Sequence, residues 1–269
     1  MDCFEKALQL DPSFSPYLAN IGQALKETGR EGAAEFLRRL AAHSINYPSS
    51  VSDYVTSIAA ECQTLIGNSD GASKLRRAQM DANSTNPAIY VAEAEYQLEI
   101  GGTSKAIEIL DKVDRLGYGN SYTLVVRAKA IQLNGDGAAA SALRLAQIHA
   151  RDPHPALYVD EAEYQLGLGD TATAMRMIDH AETFAYRSPY TLSMRAKIME
   201  ASGDGAGASD FRYVQIADNS PHPALYNAEA EFQILKGDKV EALRLLDLAA
   251  RRGCVDSYTP SIRARALGH

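Results

Sequence analysis

The chain has 269 residues, with 34 Asp and Glu against 27 Lys and Arg, a formal net charge of −7. That balance disfavours a nucleic-acid partner, which would call for a basic footprint. No apolar run reaches the roughly 18 residues that a membrane-spanning helix needs, so direct membrane insertion is not expected. Cys3, Cys62 and Cys254 lie far apart, with neither a disulfide framework nor zinc spacing. They read as small core residues and fit a reducing compartment.

In chain order, residues 1–14 open on a partial repeat. Met1–Leu10 has the pattern of a second helix without its first, and Phe4, Ala7 and Leu8 form its apolar side. This points to a fragment of a longer protein or to an end covered by another chain. From residue 15 to 256 a glycine recurs, with Gly67, Gly101, Gly135, Gly169, Gly203 and Gly237 each 34 apart. Ala60, Ala94, Ala128, Ala162, Ala196 and Ala230 precede them by seven residues. Ala72, Ala106, Ala140, Ala174, Ala208 and Ala242 follow them by five. Small residues locked in phase mark a stack of like units.

Each unit reads as two helices. Pro155 suits a first helical turn, and the run to Leu166 is rich in helix formers. Gly169 supplies a left-handed stop and Asp170 a cap for the next helix. Ala174, Met177, Ile178 and Ala181 then fall on one helical face. Extra residues around Tyr47–Ser50 predict a longer loop. Residues 257–269 read as a lone, Arg-rich capping helix.

A longer period overlies the first: 87–153, 155–221 and 223 onward align without gaps at 68. Tyr90-Val-Ala-Glu-Ala-Glu-Tyr-Gln-Leu98 matches Tyr158-Val-Asp-Glu-Ala-Glu-Tyr-Gln-Leu166 and Tyr226-Asn-Ala-Glu-Ala-Glu-Phe-Gln-Ile234. The structural unit is one repeat, but the copied unit is a pair.

These marks resemble the tetratricopeptide repeat family. Phe4-Glu-Lys-Ala-Leu-Gln-Leu-Asp-Pro12 is similar to the end of its consensus repeat, and the Gly and Ala marks fall at its spacing over almost the whole chain. The early first-helix aromatic is present as Tyr90, Tyr158 and Tyr226, but Leu18, Thr56, Leu124 and Leu192 replace it in the other repeats. The fold is therefore expected to be all-α: a right-handed superhelical solenoid of about seven 34-residue helix-turn-helix repeats, copied as 68-residue pairs.

Charge signs alternate around the first-helix alanines. Glu93 and Glu95, Arg127 and Lys129, Glu161 and Glu163, Arg195 and Lys197, Glu229 and Glu231, and Arg263 and Arg265 flank them in turn. Residues i and i+2 point about 200° apart on a helix. The pairs are thus expected to form a structural ladder of mutually neutralising charges between neighbouring first helices, holding register more than gripping a ligand. The same geometry keeps Glu93 and Glu95 from converging on a substrate, and no nucleophile or base accompanies them. Neither catalytic residues nor a metal site or cofactor is expected. His154 and His222 read as inherited loop positions.

The candidate binding residues are Tyr54, Tyr122, Tyr190 and Tyr258, which the family resemblance places early in alternate first helices, facing the concave groove. Tyrosine offers apolar area and a hydroxyl at low entropic cost. Val91, Val125, Val159, Ser193 and Asn227 are expected to line the same groove one turn on. The carboxylate clamp of co-chaperone relatives is not matched, because Ala19, Gln23, Ser57, Glu61, Val91 and Glu95 occupy its positions.

The expected function is a protein-interaction scaffold, not an enzyme, that takes a peptide or helix of a partner protein. Two alternatives stand beside it. One is self-assembly, a homo-oligomer stacked through the N-terminal end. The other is an accessory array of a larger bacterial secretion, polysaccharide-export or glycosyltransferase protein. A cytoplasmic location is expected, or a periplasmic one if the chain belongs to an exported protein.

Overall fold

The computed structural model describes residues 2–47, 51–150, 154–218 and 222–268, and every regular element among them is an α-helix. Residues 48–50, where the longer loop was expected, lie outside the described residues. The chain forms two compact units, 1–136 and 137–269, and the boundary falls inside the repeat 121–154. The first unit holds α1 (Asp2–Leu10), α2 (Ser15–Glu27), α3 (Arg30–Asn46), α4 (Asp53–Leu65), α5 (Ser69–Asp81), α6 (Pro87–Glu99), α7 (Thr103–Arg115) and α8 (Ser121–Leu133). The second holds α9 (Gly137–Ile148), α10 (Ala156–Gly167), α11 (Thr171–Thr183), α12 (Pro189–Ala201), α13 (Gly205–Ala217), α14 (Pro223–Leu235), α15 (Lys239–Arg251) and α16 (Thr259–Leu267).

The turns follow from local chemistry. Gly169 has φ +83°, a conformation that a Cβ would strain. Next to it, the Asp170 carboxylate accepts from the Thr173 N–H at 2.9 Å and caps α11. Asp238 caps α15 in the same way, on Glu241. Prolines open α6, α12 and α14, where the missing N–H costs nothing.

Within each unit, consecutive helices pack on one another. All twelve ladder alanines are buried, eleven of them to within 2% of complete burial. A larger side chain there would push the helices apart. The first helices pack directly in twos: α2 with α4 and α6 with α8, then α10 with α12 and α14 with α16. Between α4 and α6, and between α12 and α14, contact passes mainly through the second helix in between. The longer, two-repeat period is therefore an alternation of two kinds of junction.

Ala140 is fully buried in α9, whereas Ala138 on the same helix is exposed. Ala140→Leu should cost about 1–3 kcal/mol through overpacking, while Ala138→Leu should stay within about 0.5 kcal/mol of the parent. Urea unfolding midpoints compare the two.

Candidate functional site: the first-helix face

The tyrosine series is exposed. Tyr54 in α4, Tyr122 in α8 and Tyr190 in α12 keep 60%, 40% and 38% of their surface, and Tyr258, just before α16, keeps 50%. Three of the four are tied down by a glutamate of the preceding repeat. The Tyr122 hydroxyl donates to Glu95, and that of Tyr258 donates to Glu231 at 2.9 Å. Tyr190 pairs with Glu163: burial of the ring, then that carboxylate, push its phenol well above the usual range. At Tyr258 the hydrogen bond to Glu231 is the main cause of a shift in the same direction. The Tyr190 and Tyr258 phenols therefore stay donors, and each of the three bonded rings is held by its glutamate. Less side-chain entropy is then lost on binding.

The residues expected to line the groove one turn on do not reach the surface. Val91, Val125, Val159, Ser193 and Asn227 are all buried. Three residues on is about 300° round the helix, roughly 60° from the tyrosine direction, which turns them into the contact between repeats. Asn227 shows this plainly. Its Nδ2 donates to Asp256 at 3.0 Å, and its Oδ1 accepts from the Thr259 hydroxyl at 3.1 Å. These are packing positions in the contact between repeats.

The charge ladder is also wired differently from the expectation. The first member of each acidic pair turns to the second helix of the preceding repeat, 17 residues back. Glu93 accepts from Arg76 Nε at 3.0 Å, Glu161 from Arg144 Nε at 2.8 Å and Glu229 from Arg212 Nε at 2.8 Å. A serine hydroxyl completes each carboxylate at 2.7 Å: Ser73, Ser141 and Ser209. Gln97, Gln165 and Gln233, one turn along the same helix, donate at 2.8, 2.6 and 2.6 Å. Each guanidinium lies 5.5–5.7 Å from the ring centre of Tyr96, Tyr164 or Phe232.

The alternate junctions reverse the sign. Arg127 reaches back to Asp111 and Asp114 at 2.8 and 2.7 Å. Arg195 reaches Asp179 and Glu182 at 2.5 and 3.0 Å, and Arg263 reaches Asp247 at 2.7 Å. The second members face outward. Glu95 and Glu163 hold tyrosines, while Lys129 and Lys197 are exposed. Among the described residues, Glu231 with Arg265 is the ladder pair that follows the expected repeat-to-repeat pairing. The physical reason is reach: a residue at the first of each two positions points at the adjoining second helix, which lies nearer than the next first helix.

The first-helix face of unit 1 also holds a cavity of about 580 Å³ between α4 and α6. Neither it nor the Ser–Arg–Glu–Gln cluster was anticipated, although Ser73-x-x-Arg76 recurs as Ser141-x-x-Arg144 and Ser209-x-x-Arg212. Among the described residues no helix is long and apolar enough to cross a membrane.

No protein-family model matches the sequence, and no characterised protein matches it by sequence. Solved structures do match. A tetratricopeptide repeat protein from Parabacteroides merdae superposes with a TM-score of 0.76 at 13% identity, covering 94% of this chain and 99% of that one. Yeast Tom70 gives 0.72 at 14% identity, with 99% of this chain and 56% of Tom70 covered. The human IFIT1 dimer with PPP-AAAA gives 0.61 at 12% identity, with 93% of this chain and 57% of that one covered. The chain thus spans just over half the length of the last two. It has the tetratricopeptide-repeat fold, a stack of helix pairs.

Glu229 and Arg212 have no exposed side-chain surface. Glu229→Ala should cost about 3 kcal/mol in urea unfolding, because it leaves the buried Arg212 guanidinium with only the partly exposed Glu200 as counterion. Replacing both, Arg212→Met with Glu229→Leu, should recover most of that loss. Glu231→Ala, two residues on and partly exposed, should cost about 0.2–1 kcal/mol.

Proposed function

We propose that the chain is a protein-interaction scaffold whose units each present their first-helix face to a peptide or helix of a partner protein. One observation carries this: exposed tyrosines whose hydroxyls are anchored to glutamates of the preceding repeat. The early first-helix tyrosines of the alternate repeats, Tyr90 and Tyr226, are fully buried, so the two tyrosine series face opposite environments. Tyr122 rests on Glu95 in unit 1, and Tyr190 and Tyr258 rest on Glu163 and Glu231 in unit 2. Rigid aromatic anchors of this kind carry a large share of interface energy.

The net charge of −7 favours a protein over a phosphate-bearing ligand such as the PPP-AAAA described with IFIT1, since phosphate binding is led by cationic contacts. Of the basic ladder positions, Arg127, Arg195 and Arg263 are already engaged by acids.

A phage-displayed peptide library selected on the full chain should yield binders. Tyr122→Ala and Tyr190→Ala should each weaken them by an order of magnitude or more, consistent with about 2 kcal/mol per buried anchor, while thermal melting stays unchanged. Lost stability with binding intact would place the binding surface elsewhere.

A further inference from the structure

The cavity between α4 and α6 has a sequence cause. Ala88 stands at the tyrosine position of its repeat, one repeat from both Tyr54 and Tyr122. With Ala60, Ile89 and Ala92 it makes an apolar floor. A volume near 580 Å³ is in the range of sites that hold a ligand group, about 300–1,000 Å³. The rim is acidic, formed by Glu61, Glu95 and Glu99.

Two cations also line the cavity. Lys26 is paired with Glu61. Arg76 is 8% exposed and donates from Nε to Glu93. In unit 2 the matching Arg212 also donates from Nη1 to Glu200 at 2.7 Å. Unit 1 has the neutral Thr64 at the position that Glu200 takes in unit 2. Among the described residues, no hydrogen bond engages the Nη groups of Arg76. The guanidinium edge of a largely buried arginine, with donors to spare, therefore opens onto an apolar cavity that has a negative mouth.

Resting on the scaffold function proposed above, we infer that this cavity takes a segment of a partner protein that is both basic and apolar. An apolar side chain fills the floor of small residues. A backbone carbonyl accepts from Arg76 Nη. A neighbouring Lys or Arg meets Glu95 and Glu99 at the rim. Glu93 already neutralises Arg76, so the field at the mouth is negative and repels an acidic segment. A basic segment with no apolar side chain leaves the floor unfilled.

Fluorescence anisotropy on the full chain tests this with three labelled octapeptides: Gly-Ser-Leu-Lys-Leu-Lys-Ser-Gly, its Lys-to-Glu form and its Leu-to-Gly form. The first should bind about tenfold or more tighter than either of the others. Ala92→Phe, which fills the floor, and Glu99→Gln should each weaken it by about fivefold or more. Glu108→Gln, the same charge change on exposed α7 surface, should leave it unchanged. If Ala92→Phe lowers the melting temperature, Ala88→Leu blocks the cavity from an exposed position instead. The inference is overturned by tighter binding of the acidic peptide, by equal binding of the glycine form, by variants that behave like Glu108→Gln, or by no binding up to about 1 mM. Library-selected peptides that respond to the tyrosine variants but not to Ala92→Phe or Glu99→Gln would leave the scaffold function standing and remove this cavity from it. A library that yields no binders would remove the scaffold function itself.

Discussion

A carboxylate and a guanidinium taken out of water together organise this chain. At three junctions a glutamate of a first helix meets an arginine of the preceding second helix, with Arg Nε to Glu distances of 2.8–3.0 Å. Desolvating both ions is costly, and the attraction repays it only where the remaining polar atoms are satisfied. Here a serine and a glutamine complete the carboxylate and an aromatic ring covers the guanidinium, while at Arg212 one buried Nη is left without a hydrogen bond among the described residues. The bonds are directional, so they fix where along its neighbour each first helix sits, which apolar contact alone leaves loose. The copies recur at every second repeat with nearly the same distances, so the long period has a structural cause.

Sign reversal at the other junctions has a different character. Arg127 and Arg195 face acids whose side chains stay more than half exposed at Asp111, Asp114 and Asp179. Screening weakens such pairs, and there the first helices pack directly on one another. One kind of junction is held by a buried polar cluster and the other by close apolar approach. The open space between α4 and α6 belongs to the first kind. Where a second helix inserts its arginine, the first helices stand apart, and small residues such as Ala88 and Ala92 leave that space unfilled.

The fold was legible in the sequence because its demands fall on single residue types. A left-handed turn asks for glycine, and Gly169 and its counterparts supply it. A close helix crossing asks for alanine, and the two ladders supply it. The exposure of Tyr122 and Tyr190 could be read as well. The wiring of the charges could not, because comparing positions one repeat apart joins first helix to first helix, while Glu161 actually bonds Arg144, half a repeat back. A search at that offset would have found the serine and the arginine together. Val91, Val125 and Val159 were misplaced for a geometric reason: one turn of a helix is not a whole number of residues, and the leftover angle separates a surface from a seam.

The alternation also governs how such a chain can change length. Removing one repeat, residues 87–120, would bring α8 onto α5 and set Arg127 where Glu93 stood, opposite Arg76. Two guanidinium groups would then meet in a space built to exclude water. Removing two adjacent repeats restores a carboxylate to that place. Growth and loss are therefore tolerated by the pair of repeats and opposed by the single repeat. The sequence carries a parity, and the buried pair enforces it.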